Sequence, residues 1–405
     1  MANIVEMGGG ASGARVDYTA VNGEVSGITK LGTSPTALSS SRISLSSAKA
    51  GNYGLLAGGY APQNYNYNST VDAYDTSLTR TSPTVLSSAR HSMGSATVNS
   101  YALFCGGQYI DGGAKSSVVD AYDTSLTRTI LTSLSLARES LAGSSIGDYA
   151  LFAGGFTTIY SAVVDAYNNS LTRSTPTVLS VARQRLGGAK NTNYALFGGG
   201  STSASTVSGV VDAYDTSLTR TSLSGISSCM DMGSGGISSY AFFGGGSDTS
   251  YNSNNMIYFY NTSGTRSDNT LSNSKRFPIS SNTNAYMIIA GGYYTTSAYS
   301  SVDAFNESLI KSTPTGLTTA RSSGAGINVG IYGLVCGGTT NLANVGTQTN
   351  AVDAYNQTFN PLNLYAPIGS KYDFGGGEQM VTSNTKITVT SPATGYIKYK
   401  KGVVS

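Results

Sequence analysis

The sequence predicts an all-β propeller of four-stranded blades, eight with seven as the alternative, and three observations predict it. First, the motif Tyr-x-apolar-x-small-Gly-Gly recurs seven times, starting at Tyr53, Tyr101, Tyr149, Tyr194, Tyr240, Tyr286 and Tyr332, at steps of 45 to 48 residues. A fixed period of that length is the mark of a repeat architecture. Second, each copy is followed by Val-Asp-Ala-Tyr or a variant of it, at Val71–Tyr74, Val119–Tyr122, Val164–Tyr167, Val211–Tyr214, Ile257–Tyr260, Val302–Phe305 and Val352–Tyr355. Third, the chain has 50 Gly, 28 Tyr, no Trp and only 11% charged residues, with no long apolar run. Such a composition suits short strands and many turns.

The elements follow in order within one repeat. Tyr101-Ala-Leu-Phe-Cys-Gly-Gly is a short apolar run stopped by a glycine pair, as a buried strand would be. After a variable stretch comes the Val-Asp-Ala-Tyr strand. Asp75, Asp123, Asn168, Asp215, Asn261, Asn306 or Asn356 then marks a turn, because an Asx side chain can bond its own backbone. A further strand reads SLTRTSPTVL, and the repeat closes on Ala-Arg eleven residues before the next motif tyrosine. Between that Arg and Tyr one more strand fits. Four short strands in this period make a propeller blade.

The repeat resembles the kelch family. The Gly-Gly pairs match the end of a kelch second strand and the Val-Asp-Ala-Tyr tyrosines its third, over about residues 42–364. Leu78-Thr79-Arg80, Leu126-Thr127-Arg128, Leu171-Thr172-Arg173 and Leu218-Thr219-Arg220 stand where kelch blades often open the fourth strand with Trp. The chain is therefore similar to a divergent branch of the family, such as kelch-like proteins of bacteria and their phages. Some kelch relatives are copper oxidases. That site needs several His and Tyr ligands, and this chain has one histidine.

Both chain ends carry blade-like text. Ile4–Gly9 echoes the second strand, Arg15–Tyr18 the third and Thr33–Leu38 the end of the fourth. The first strand is missing there and Lys371–Val381 can supply it. The expected organisation is a propeller over 1–381, with a composite closing blade from 1–41 and 365–381. Residues 382–405 would form a C-terminal hairpin turning at Pro392–Gly395.

The same text bounds the chemistry. Net charge is +3 and no basic run exists, which argues against nucleic acid as a partner. No 18-residue apolar stretch exists, so no membrane insertion is expected. The first residues lack a signal peptide's charge and apolar core, giving an expected place in a virion or outside the cell after lysis, with the cytoplasm as the alternative. His91 lacks the companions of a catalytic triad and follows the repeated Arg90. Cys105 and Cys336 occupy the small position before Gly-Gly, held elsewhere by Ala or Gly, so free buried thiols are expected. Asp72, Asp120, Asp165, Asp212, Asp303 and Asp353 are periodic and so answer to the blade. No catalytic residue, metal or cofactor is expected, and the chain is read as no enzyme.

Two residue sets are candidates for function. The stretches between the Gly-Gly strand and Val-Asp-Ala-Tyr vary most and are rich in Tyr, Asn and Ser, like antibody loops. Tyr65, Tyr67, Tyr251, Tyr293, Tyr294 and Tyr299 are the expected anchors. Arg42, Arg90, Arg138, Arg183, Lys275 and Arg321 share one position at the start of the innermost strand. The favoured reading is that the periodic aspartates or carbonyls of a neighbouring blade neutralise them; otherwise they would ring the channel mouth and focus a positive potential there. The expected role is recognition or adhesion, as a phage tail or decoration protein binding a host-surface glycan or protein, or other virion proteins. The alternative is an intracellular scaffold between protein partners.

Overall fold

Each repeat folds into an antiparallel sheet. In the first, Ser46–Ala50, Tyr53–Ala57, Val71–Tyr74 and Arg80–Thr81 lie side by side in that order. The inner strand alternates buried and half-buried residues, since successive side chains point to opposite faces. The next two strands are buried almost throughout, as their continuous apolar text requires. Six more sheets repeat the pattern, with inner strands Gly94–Val98, Ala142–Ile146, Gly187–Lys190, Gly233–Gly236, Ile279–Asn282 and Ala325–Val329. The computed structural model describes residues 15–18, 25–61, 66–109, 113–295, 297–341, 347–359, 362–365, 371–373, 379–380, 386–389 and 395–398.

The glycine pair locks neighbouring blades together. Gly58 and Gly59 have φ of +63° and +109°, and a Cβ on Gly59 would stand 2.7 Å from the Ile43 carbonyl oxygen. Only glycine tolerates that backbone at that distance. The second glycine's amide donates to the carbonyl of the repeated cation in the next blade. Gly59 N–Arg90 O is 3.1 Å, Gly107 N–Arg138 O 2.9 Å, and Gly338 N–Arg42 O, closing the circle, 3.0 Å.

The propeller has seven blades, not the eight expected. The seventh sets Ala325–Val329, Tyr332–Cys336 and Val352–Phe359 beside Val25–Lys30, which comes from the other end of the chain. Leu31 N donates to Ala354 O at 2.9 Å, and Thr29 Oγ1 to Asn356 Oδ1 at 2.9 Å. Lys30 Nζ pairs with Asp353 at 2.7 Å. Arg80 does the same for Asp72 in the first blade, also at 2.7 Å. The fourth-strand echo before Leu38 thus belongs to the seventh blade. Leu38, Leu45, Leu56 and Tyr74 share one core cluster with Ile327, Leu334 and Val352.

Contacts divide the chain into two units, Ile28–Asn356, and Met1–Gly27 with Gln357–Ser405. In the second unit Arg15–Tyr18 pairs with Gly395–Lys398, which also pairs with Lys371–Asp373. Lys371–Asp373 pairs in turn with Gln379–Met380. Lys386–Val389 pairs with Leu362–Tyr365 and not with Gly395–Lys398, the partner expected in a terminal hairpin. The Ile4–Gly9 echo lies outside the described residues.

Candidate recognition surface on the loop face

The repeated cations are internal. Arg42, Arg90, Arg138, Arg183, Lys275 and Arg321 have no exposed surface. Each pairs with the aspartate of its own blade, from 2.6 Å for Arg90–Asp120 to 3.4 Å for Lys275–Asp303. Arg90 Nη2 also donates to the Phe104 carbonyl at 3.1 Å, tying the inner strand to the second strand. The aspartate takes a further amide: Ser87 N donates to Asp120 at 3.2 Å. Their charge is spent inside the blades, because a buried cation is stable only when paired.

The next residues along the chain reach the surface. Two positions after the cation, or after Cys229 in the fifth blade, stand Ser44, Ser92, Ser140, Arg185, Asp231, Phe277 and Ser323, one per blade, all with φ between 50° and 58°. A left-handed non-glycine residue costs of order 1–3 kcal/mol and persists only where surroundings enforce it. Here the enforcement is a hoop of backbone bonds. Ser140 N donates to Ser92 O and Arg185 N to Ser140 O, each at 2.9 Å. Asp231 N, Phe277 N, Ser323 N and Ser44 N continue it, each to the preceding member, at 3.0 to 3.3 Å. Four members are serine. Arg185, Asp231 and Phe277 break the column side by side.

That sector gathers charge and aromatic rings. Arg185 Nε donates to Asp231 Oδ1 at 2.7 Å, and Arg185 Nη2 makes a second, shorter bond to Oδ2. Burial works to lower the Arg185 pKa, but Asp231 and Tyr251 hold it above its ordinary value. The Arg276 guanidinium lies 4.7 Å from the Tyr251 ring and 5.4 Å from the Tyr293 ring. Flat guanidinium groups gain from such stacking. Arg276 Nε is buried with no hydrogen-bond partner among the described residues. Backbone bonds in both directions between Arg276 and Tyr293, 3.0 and 2.9 Å, hold the stack in place.

A second aromatic group stands on the same face. Tyr60, Tyr67 and His91 pack with ring centroids 4.7 to 5.6 Å apart. Burial, aided by the Lys115 charge, lowers the His91 pKa to about 4, so its ring is neutral at ordinary pH. Ser92 Oγ lies 2.8 Å from His91 Nδ1. Beyond it Lys115 pairs with Glu139 at 2.5 Å.

The expected anchors are distributed unevenly over these groups. Tyr251 is 52% exposed and Tyr294 45%. Tyr293 is only 1% exposed and serves as the inner wall behind Arg276. Tyr67 is half-buried against His91, and Tyr299 is half-buried with its amide bonded to Gly292 O at 2.8 Å. Tyr65 lies outside the described residues. Sequence reasoning passed over Arg185, Asp231 and Arg276. The signal for Arg185 and Asp231 was present as departures from a column that is serine in four blades, whereas the column of Arg276 differs in every blade and marked nothing.

No family model matches the sequence, and no curated protein matches it. Among solved structures the chain is similar to one titled "Structure of YjhT". The TM-score is 0.53 and the identity 11%, over 79% of this chain and 96% of that one. The likeness is of fold, and it supports the propeller.

Proposed function

We propose that the chain is a non-enzymatic, kelch-like recognition propeller, a phage virion protein of tail or decoration type that binds a host-surface glycan through its loop face. The observation that carries this reading is the half-exposed Tyr251 ring, backed by Arg276 and flanked by the Arg185–Asp231 pair. A sugar offers an apolar face to an aromatic ring and hydroxyls to charged groups. Here the charged pair sits on the hoop and the ring is stacked on Arg276, so little conformational entropy is lost on binding. Tyr294 and the Tyr60–Tyr67–His91 group extend the same face.

The full chain is applied to a glycan array and to host cells, beside Tyr251→Ser and Arg276→Ala. Both variants should lose binding at least about tenfold, as truncating a central aromatic or arginine anchor does, while melting unchanged. Binding that survives both changes overturns this choice of surface. Capture of a protein partner with no glycan bound replaces the ligand class.

A further inference from the structure

The channel mouth opposite the loop face carries the unneutralised charge. The fourth residue of each inner strand is Lys49, Thr97, Ser145, Lys190, Gly236, Asn282 or Asn328. Five of these, Lys190 among them, line a cavity of about 530 Å³ together with turn residues such as Asn99, Ser238 and Asn284. No carboxylate lines it. Lys190 is exposed to the cavity, and its Nζ has no hydrogen-bond or ion-pair partner among the described residues. Lys49 Nζ donates to Asn328 Oδ1 at 3.0 Å, a neutral acceptor that leaves its charge intact.

Both lysines are held below their ordinary pKa, Lys190 by desolvation, and Lys49 by desolvation and then by repulsion from Lys190. The inner strands packed on either side of Lys190, Ala142–Ile146 and Gly233–Gly236, carry no titratable side chain. The nearby turn carboxylates stand outside the cavity lining: Asp148 accepts from Asn169 at 2.6 Å and Glu307 from Ser239 at 3.2 Å. The repeated cations that precede the inner strands, Arg42, Arg90, Arg138, Arg183, Lys275 and Arg321, are each matched with an aspartate. Lys190 stands unpaired in a polar, acid-free cavity, with the like charge of Lys49 on the same ring of inner strands, an arrangement that an anion would relieve.

The geometry points to a binding site for a small multivalent oxyanion, a phosphate or a polycarboxylate, at Lys190 in this mouth of the channel, with Lys49 as the further cation of the same ring. Gly236 faces Lys190 there because a Cβ on it would stand 1.8 Å from the Lys190 carbonyl oxygen. The cavity wall on that side is therefore bare backbone. Thr97 and Ser145 knit adjacent strands, with Thr97 Oγ1 accepting from Lys49 N at 2.9 Å and Ser145 Oγ from Thr97 N at 3.2 Å. Lys190 is left to meet a ligand, with Asn99, Ser238 and Asn284 beside it in the lining.

The test is titration calorimetry and thermal melting of the full chain with inorganic phosphate and, separately, citrate. One of the two should bind saturably and raise the melting temperature. Lys190→Gln should weaken that binding about tenfold or more, as loss of one charge-assisted contact does. Lys49→Thr, the residue already present at Thr97, should weaken it less. Binding should also fall as pH rises towards the lysine range, where the ammonium groups lose their protons. Phosphate alone identifies a phosphate ligand and citrate alone a carboxylate. Binding of neither, or binding unchanged in Lys190→Gln, overturns the site. Arg276→Ala should bind the anion normally, which separates this site from the loop face.

Discussion

The fifth blade and its six companions fill the same internal position with different chemistry. Six hold a cation against an aspartate, both without exposed surface. The fifth holds Cys229 against Tyr258. The Tyr258 hydroxyl receives the Ser227 amide at 3.2 Å, the service Asp120 performs for Ser87 in the second blade. Arg266 pairs with Asp268 at 2.8 Å and lies 5.4 Å from the Tyr258 ring, where Arg80 and Arg220 would instead bond the aspartate. Cation and anion have left together. A buried charge without its partner is far worse than no charge at all. The pair is thus a unit that the fold can exchange whole for sulfur and an aromatic ring.

The largest test of that comparison is Asp120→Ala, which strands Arg90 in the core. It should cost about 3–5 kcal/mol in chemical denaturation. A loss under about 1 kcal/mol would mean that the carbonyls around Arg90 suffice. Next, Tyr258→Asp should destabilise the fifth blade, and adding Cys229→Arg should recover part of the loss. The double-mutant cycle should show coupling of at least about 1 kcal/mol; additivity would break the claim that the pair is exchanged as a unit.

A smaller effect is expected in acid. Burial works to raise the Asp353 pKa, but hydrogen bonds from Lys30 and Thr318 and the Arg321 charge hold it below the usual carboxylate range. A depressed folded pKa stabilises above the unfolded value, and that stabilisation fades as pH falls through the folded one. Asp353→Asn should therefore be less stable than wild type near neutrality and should lose less on acidification. Equal acid slopes would refute the linkage. Smallest of all, the turn that holds Gly264 at φ +76° in the fifth blade holds Leu218 at +60° in the fourth. Leu218→Gly should alter stability by no more than about 1 kcal/mol, since relief of left-handed strain offsets lost packing. A larger loss would show that the leucine's contacts dominate.

The fold was legible because its constraints recur. The glycine pair, the aspartate and the Ala-Arg cation each answer to one contact made in blade after blade. Ring closure was harder to read. Thr33–Leu38 was matched to the end of a fourth strand, but the identity of its blade depends on pairing across the whole chain. Lys30 standing in for Arg80 is visible only once Asp353 is beside it. The recognition face was half legible. Loop tyrosines were drawn from composition, which cannot tell the exposed Tyr251 from Tyr293 walled behind Arg276. The lysines of the opposite channel mouth were missed for a related reason: periodic arginines attract notice, whereas Lys49 and Lys190 occupy a column that holds small or polar residues in the other blades.

The strand that closes the ring has a mechanical consequence. Thr29 faces Asn356 and Leu31 faces Ala354, so the two strands run in opposite directions. Force applied between Val25 and Phe359 would open this pair like a zipper, one bond after another, because each bond carries the load alone. The same pair sheared lengthwise would share the load among all its bonds. A protein held by one end and gripped on its loop face would never load the zipper in that way. One pulled apart at Val25 and Phe359 would open at the seventh blade, leaving the other six still stacked.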